Sequence, residues 1–282
     1  MRVTTSADKL LFCTVRIDSV TDDGNISCGT GFVYMHERDG KDIACLVSNK
    51  HVVQGMREGK LTFTLATDNG DPDVGNTWYV RFSKNEWDRR WVGHPDPSID
   101  IAICPLNDIG DAIKRDSGRR VFMVALKMSD IPTVAQEEEF DAIEAITFIG
   151  YPNGTWDTKN FLPITRRGYT ASPISVDFDG EPKFLIDASV FGGSSGSPVV
   201  LLDHGPREDS YGNLVMGARF HFLGVVAQVM YRSDANMVYP IAIPTNMGLA
   251  VNTSQMIDIG IVFKARTVSE AVAAAIENYQ KS

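Results

Sequence analysis

Cysteine is scarce in this chain, and so are long apolar runs and clusters of basic residues. Cys13, Cys28, Cys45 and Cys104 are the four cysteines in 282 residues. None stands in a CxxC pair, which argues against a disulfide scaffold and against the common zinc modules. They lie in apolar, strand-like segments, so buried free thiols in a reducing compartment are expected, while the spacing alone leaves a Cys13–Cys28 bridge open. The five histidines, His36, His51, His94, His204 and His221, form no HxH or HExxH pattern. No metal is therefore expected, and no cofactor. No apolar stretch approaches the roughly 20 residues of a membrane-spanning helix. The opening Met1-Arg-Val-Thr-Thr lacks the apolar segment of a signal peptide. A cytoplasmic protein without membrane contact is the expectation. Lys and Arg total 27 against 36 Asp and Glu, a net charge of −9. The most basic cluster is Arg166-Arg167, too short for a polyanion site, so no nucleic-acid partner is expected.

What the chain does have is β-like alternation. Short apolar segments at 10–20, 28–34, 43–48, 61–66 and 77–82 are divided by Asp, Asn and Gly turns. A charged stretch over 107–141 with some helical character follows. A second series covers 145–149, 162–169, 174–178, 183–190, 199–202, 220–230 and 237–243. Many short strands without alternating helices indicate barrels or a sandwich, and two series joined by one charged connector indicate two barrels. Thr267-Val-Ser-Glu270 fits a capping box, and Val268, Val272, Ala275, Ile276 and Tyr279 follow at helical spacing. The expected organisation is an N-terminal barrel over 1–106, a connector over 107–144, a C-terminal barrel over 145–250 and a helical tail over 251–282.

The most chemically suggestive stretch is Phe191-Gly-Gly-Ser-Ser-Gly-Ser-Pro198. Glycines let backbone amides converge beside a serine hydroxyl, which is what acyl transfer requires: a nucleophile, and donors for the oxyanion formed on attack. A tight turn is the plain alternative. His51, just past an apolar strand, and Asp100, embedded among Ile99 and Ile101, would supply base and orienting acid in the chain order His, Asp, Ser. A carboxylate in an apolar run needs a hydrogen-bonding partner if it is buried. Gly192-Gly-Ser-Ser-Gly196 also fits the G-x-S-x-G elbow of α/β-hydrolases, but that fold needs strand–turn–helix context and a late histidine, and none follows His221.

Five segments resemble the motifs of trypsin-fold serine proteases, closest to the HtrA-like branch. They are Leu46-Val-Ser-Asn-Lys-His-Val-Val, Ser98-Ile-Asp-Ile-Ala-Ile, Phe148-Ile-Gly-Tyr-Pro-Asn-Gly, Asp187-Ala-Ser-Val-Phe-Gly-Gly-Ser-Ser-Gly-Ser-Pro and Ile241-Ala-Ile-Pro-Thr-Asn. The resemblance implies an all-β fold of two antiparallel six-stranded barrels with a C-terminal helix. It implies a peptidase with Ser195 as nucleophile, His51 as base, Asp100 as orienting acid, and the amides of Gly193 and Ser195 as the oxyanion hole. It places Ser189 at the base of the primary pocket, with Val229 and Tyr239 along its walls. None of these is acidic, so cleavage after small or medium uncharged residues is expected.

The secreted digestive branch carries an acid just before the serine, where this chain has Ser194. Activation by N-terminal trimming is therefore not expected, nor is the PDZ module of many HtrA-like proteins, since about 30 residues follow Asn252. Partners would be a protein or peptide substrate and a regulatory protein that restrains activity. The rival reading is a protease-fold binding or scaffold protein with silent or partner-gated chemistry.

Overall fold

Every second residue from Val15 to Ser19 is buried, the period of a half-buried strand. This is β1 (Thr14–Thr21), which follows a short helix α1 (Ser6–Leu10). The computed structural model describes residues 1–208, 212–238 and 249–281, with side chains over 1–206, 212–230 and 257–277. From β1 the chain runs through β2 (Ile26–Arg38), a turn at Asp39-Gly40 with both residues at positive φ, and β3 (Lys41–Ser48). Then come α2 (Lys50–Val53), β4 (Met56–Ala66), β5 (Pro72–Ser83), α3 (Lys84–Arg90), β6 (Val92–Gly93) and β7 (Ala102–Pro105). The connector contributes α4 (Asn107–Ser117), β8 (Leu126–Lys127) and α5 (Val134–Glu138). The second half holds β9 (Ala145–Gly150), β10 (Ile164–Thr170), β11 (Lys183–Asp187), β12 (Pro198–Glu208), β13 (Leu214–Val238), β14 (Leu249–Lys264) and α6 (Ala265–Lys281).

The first sheet is ordered β5-β4-β1-β2-β3-β7-β6, with β8 set parallel on β2. Two of its eight strands, β6 and β8, are only two residues long. The second sheet closes on itself as β10-β11-β14-β13-β12-β9. The chain is therefore all-β with a C-terminal helix, as expected. No helix among the described residues is long and apolar enough to cross a membrane.

Several details differ from the sequence reading. Residues 174–178 form no strand. Val176 donates to the Pro173 carbonyl in a turn, a 3-10 helix follows at Phe178–Gly180, and Ile174 is buried while Val176 stays exposed. Pro173 and the positive-φ Asp179-Gly180 pair interrupt any ladder there. The sixth barrel strand is β14, beyond the Ile241–Asn246 motif, which lies outside the described residues. The strand runs directly into α6 at Ala265, so Thr267 is not a cap, and its hydroxyl donates to the Lys264 carbonyl at 2.8 Å. The barrel thus continues to Lys264, past the boundary expected at 250.

Each sheet has its own apolar core: Val15, Ile17, Leu46, Leu61 and Phe63 in the first, and Ile146, Phe148, Phe184, Val199 and Val262 in the second. A third cluster spans both. Leu10, Phe32, Tyr34 and Ile101 meet Phe222, Val225 and Phe263 beneath Val268, Val272 and Ala275 of α6. Phe32 and Phe222 pack edge to face with centroids 5.3 Å apart. The helix therefore ties the two sheets together.

Trp87 of α3 is wholly buried and donates from Nε1 to the Val53 carbonyl at 2.7 Å. Its ring packs against Gly59 of β4, where any Cβ would enter the indole. Gly59→Ala should therefore destabilise the fold by about 1–3 kcal/mol, the usual cost of overpacking, read as a lower urea midpoint with an unchanged slope.

Candidate active site

The hairpin β2–β3 ends at Ser48, and Asn49 turns the chain into the single-turn helix α2. That turn sets His51 against the loop before β7. The His51 amide donates to Asp100 Oδ1 at 3.1 Å, and its ring Nδ1 lies 2.5 Å from Asp100 Oδ2. The Asn49 side-chain amide holds the Asp100 carbonyl at 2.6 Å. Asp100 is not a strand residue, since β7 begins at Ala102. Its side chain is 17% exposed and that of His51 49%. With the carboxylate accepting from Nδ1, the ring's Nε2 is left free to take a proton.

Ser195 lies between β11 and β12 in a loop whose carbonyls from Phe191 to Ser195 all accept hydrogen bonds. Phe191 O accepts from Ser194 N at 3.0 Å and Gly192 O from Asn153 N at 2.5 Å. Gly193 O accepts from Thr30 Oγ1 at 2.9 Å, Ser194 O from Ser197 N at 3.0 Å, and Ser195 O from Thr30 N at 3.0 Å. In a trans peptide the C=O and N–H point opposite ways, and the described residues contain no cis bond. Drawing Gly192 O and Ser194 O inward therefore turns the Gly193 and Ser195 amides outward. Neither amide has an acceptor among the described residues. Two unspent amide donors beside a hydroxyl are the parts from which an oxyanion site is built. Gly193 and Gly196 adopt φ of +82° and +84°, a region in which glycine is at ease.

The structure brings His51 and Asp100 into direct contact. It does not join Ser195 to His51: the serine hydroxyl donates to the Ala227 carbonyl of β13 at 3.2 Å. Ser194, which stands where the resembling secreted enzymes carry an acid, is 1% exposed.

Of the expected pocket residues, Ser189 and Val229 are both half-buried, and Tyr239 lies outside the described residues. The residue paired across the ladder from Val229 is Gly260 of β14. A Cβ at Gly260 would stand 2.9 Å from the side chains of Ile186 and Val190, so only glycine fits flush there. Sequence reading passed over Gly260 and over Thr30, which grips the serine loop together with the Pro152–Gly154 turn that the motif at 148–154 had marked. The Gly29-Thr-Gly31 spelling in β2 was the available signal for Thr30.

Alternative chemistries are poorly supplied. All four cysteines are free. Burial pushes the Cys13, Cys45 and Cys104 thiols up to about 12 and Cys28 up to about 11, so none is a thiolate at neutral pH. The described residues contain no cluster of His, Cys, Asp or Glu arranged to hold a metal.

The model of the trypsin-like peptidase domain matches residues 29–205, more than half of the chain and all three candidate catalytic positions. The chain belongs to the trypsin-like peptidase family. Membership implies peptide substrates. No curated protein matches the chain. Among solved structures it is similar to the active form of the Rv3671c protease from M. tuberculosis, at 19% identity over 95% of this chain and 82% of that one, with a TM-score of 0.44. It is also similar to the scabies mite inactivated protease paralogue S-I1, at 14% identity over 97% of each chain, with a TM-score of 0.43. The tobacco etch virus protease is similar at 12% identity over 80% of this chain and 71% of that one, with a TM-score of 0.41.

The peptidase loop is seated on the first sheet at Gly196, where a Cβ would collide with the Thr30 carbonyl and the Ser48 side chain. Gly196→Ala adds backbone strain to that collision. It should cost about 2–5 kcal/mol, measured as a fall in melting temperature.

Proposed function

We propose that this member of the trypsin-like peptidase family is a serine endopeptidase in which Ser195, His51 and Asp100 form the triad. The observation that carries the reading is the His51–Asp100 contact, at 2.5 Å from Nδ1 to Oδ2, because it leaves Nε2 as the basic atom. A two-unit division, 1–106 and 145–264 joined by 107–144, underlies it, with base and acid from the first unit and nucleophile from the second. On substrate binding, rotation about the Ser195 Cα–Cβ bond moves Oγ from the Ala227 carbonyl to Nε2. Oγ attacks the scissile carbonyl and its proton passes to Nε2. The Gly193 and Ser195 amides take up the oxyanion, a contribution of about 3 kcal/mol per donor. Collapse of the tetrahedral intermediate breaks the C–N bond, with the proton handed on to the leaving amine. Water then enters by the same route in reverse order, with His51 again as base, and frees the acyl group.

Ser189, Val229 and Gly260 are proposed to line the primary pocket, with Tyr239 retained as a candidate wall. The absence of an acidic residue among these four favours small or medium uncharged side chains. A cytoplasmic location and a restraining protein partner complete the proposal. The alternative of a silent scaffold has one observation in its favour, namely the bond that holds the Ser195 hydroxyl on Ala227 instead of His51.

A fluorophosphonate probe separates the two readings. The wild type should be labelled, Ser195→Ala and His51→Ala should not, and an unlabelled wild type would sink the enzymatic one. Asp100→Asn should lower kcat by about 10⁴-fold through the wrong histidine tautomer. In a peptide series differing only at the cleaved residue, Ala- and Val-ended substrates should turn over and Arg-ended ones should not. Efficient cleavage after arginine would refute the pocket assignment.

A further inference from the structure

Thr30 is fully buried in β2, on the opposite sheet from the serine loop, yet it bonds both that loop and the turn that supports it. Its amide donates to Ser195 O at 3.0 Å. Its hydroxyl donates to Gly193 O at 2.9 Å and accepts from Tyr151 N at 3.0 Å. The Ser48 hydroxyl donates to the Thr30 carbonyl at 2.7 Å, which fixes the residue from behind. Space has been left for the hydroxyl, since a Cβ at Gly150 would run into Thr30 Oγ1. The turn that Tyr151 begins carries the Asn153 amide, the donor to Gly192 O. Arg16 secures the far end of that turn, donating from Nη1 to Gly154 O at 2.7 Å while stacking on Trp156 at 4.5 Å.

We infer that the Thr30 hydroxyl is a positioning residue for the oxyanion site, pinning the Gly193 peptide and the Tyr151 turn to each other from the opposite sheet. The inference rests on the serine-protease reading for its catalytic consequence. Gly193 at φ +82° is a hinge without side-chain restraint. A rotation of its neighbouring peptides would turn the oxyanion amides away from the cleft. One buried hydroxyl that donates to Gly193 O and accepts from Tyr151 N blocks that rotation, because losing it leaves both groups buried and unpaired. Ser194 itself is buried and its hydroxyl has no partner among the described residues, so the ordering group is supplied by β2.

The test compares Thr30→Val, which keeps the shape and removes the hydroxyl, with Thr30→Ser, which keeps the hydroxyl. Two measurements are read on the full chain. Hydrogen exchange of the peptide covering residues 191–197 reports the loop without relying on activity. It should quicken in Thr30→Val and stay slow in Thr30→Ser. Kinetics on a peptide substrate should show kcat falling by about 10²-fold in Thr30→Val with KM little changed, the scale of a lost oxyanion donor. Affinity for a peptide aldehyde should fall in parallel, and Thr30→Ser should restore both. Wild-type exchange and kcat in Thr30→Val would overturn the inference, as would an equal loss in Thr30→Ser. If the wild type hydrolyses nothing and takes no fluorophosphonate, the protease reading fails, while exchange still decides whether Thr30 pins the loop. Should Thr30→Val not fold, Thr30→Ala is read against Thr30→Ser in the same two measurements.

Discussion

A backbone can offer two amides to a single oxygen only if the carbonyls next to those amides are occupied elsewhere. Five consecutive carbonyls, from Phe191 to Ser195, meet this condition, and each finds its donor inside the protein. Two of the five are served by Thr30 from the other sheet, and a third by the Asn153 amide. The loop is therefore shaped less by its own sequence than by what presses on it from two sides. Glycine at 193 and 196 gives the backbone freedom to comply. The neighbours choose among the conformations that freedom allows.

The rest of the site follows the same division of labour. His51 and Asp100 are joined on the side of the first sheet, by bonds from both the His51 ring and the His51 amide to one carboxylate. That double grip fixes the position of the histidine along the backbone as well as the orientation of its ring. Ser195 belongs to the second, closed sheet, and its hydroxyl rests on a carbonyl of β13. How His51 stands relative to Ser195 is thus a property of how two sheets meet, and the apolar cluster between them sets that meeting.

Local chemistry was the legible part of the sequence. Alternation located most of the strands, and three residue types in a recognisable order located the triad candidates. What escaped were features whose meaning depends on distant contacts. A threonine between two glycines in a strand reads as a spacer, because its hydroxyl partners lie 163 and 121 residues away. Gly260 reads as an ordinary turn or strand glycine until β14 is paired with β13 and the space beside Val190 is seen to be full. Ile174 carries a strand-like neighbourhood yet buries one side chain from a turn, since Pro173 removes a ladder donor. Asp100, set in an apolar run, lies just before β7, where its bonds to the Asn49–His51 segment take the place of ladder pairing.

The cluster that joins the sheets draws on segments far apart along the chain. Leu10 and Cys13, which precede β1, share one apolar core with Val268, Ala271, Val272 and Ala275 of α6. The seam between the sheets is therefore held by residues that belong to neither hairpin system, and loosening either segment would slacken the seam without touching a strand. The two sheets are less like a hinge than like two leaves bound along a common spine.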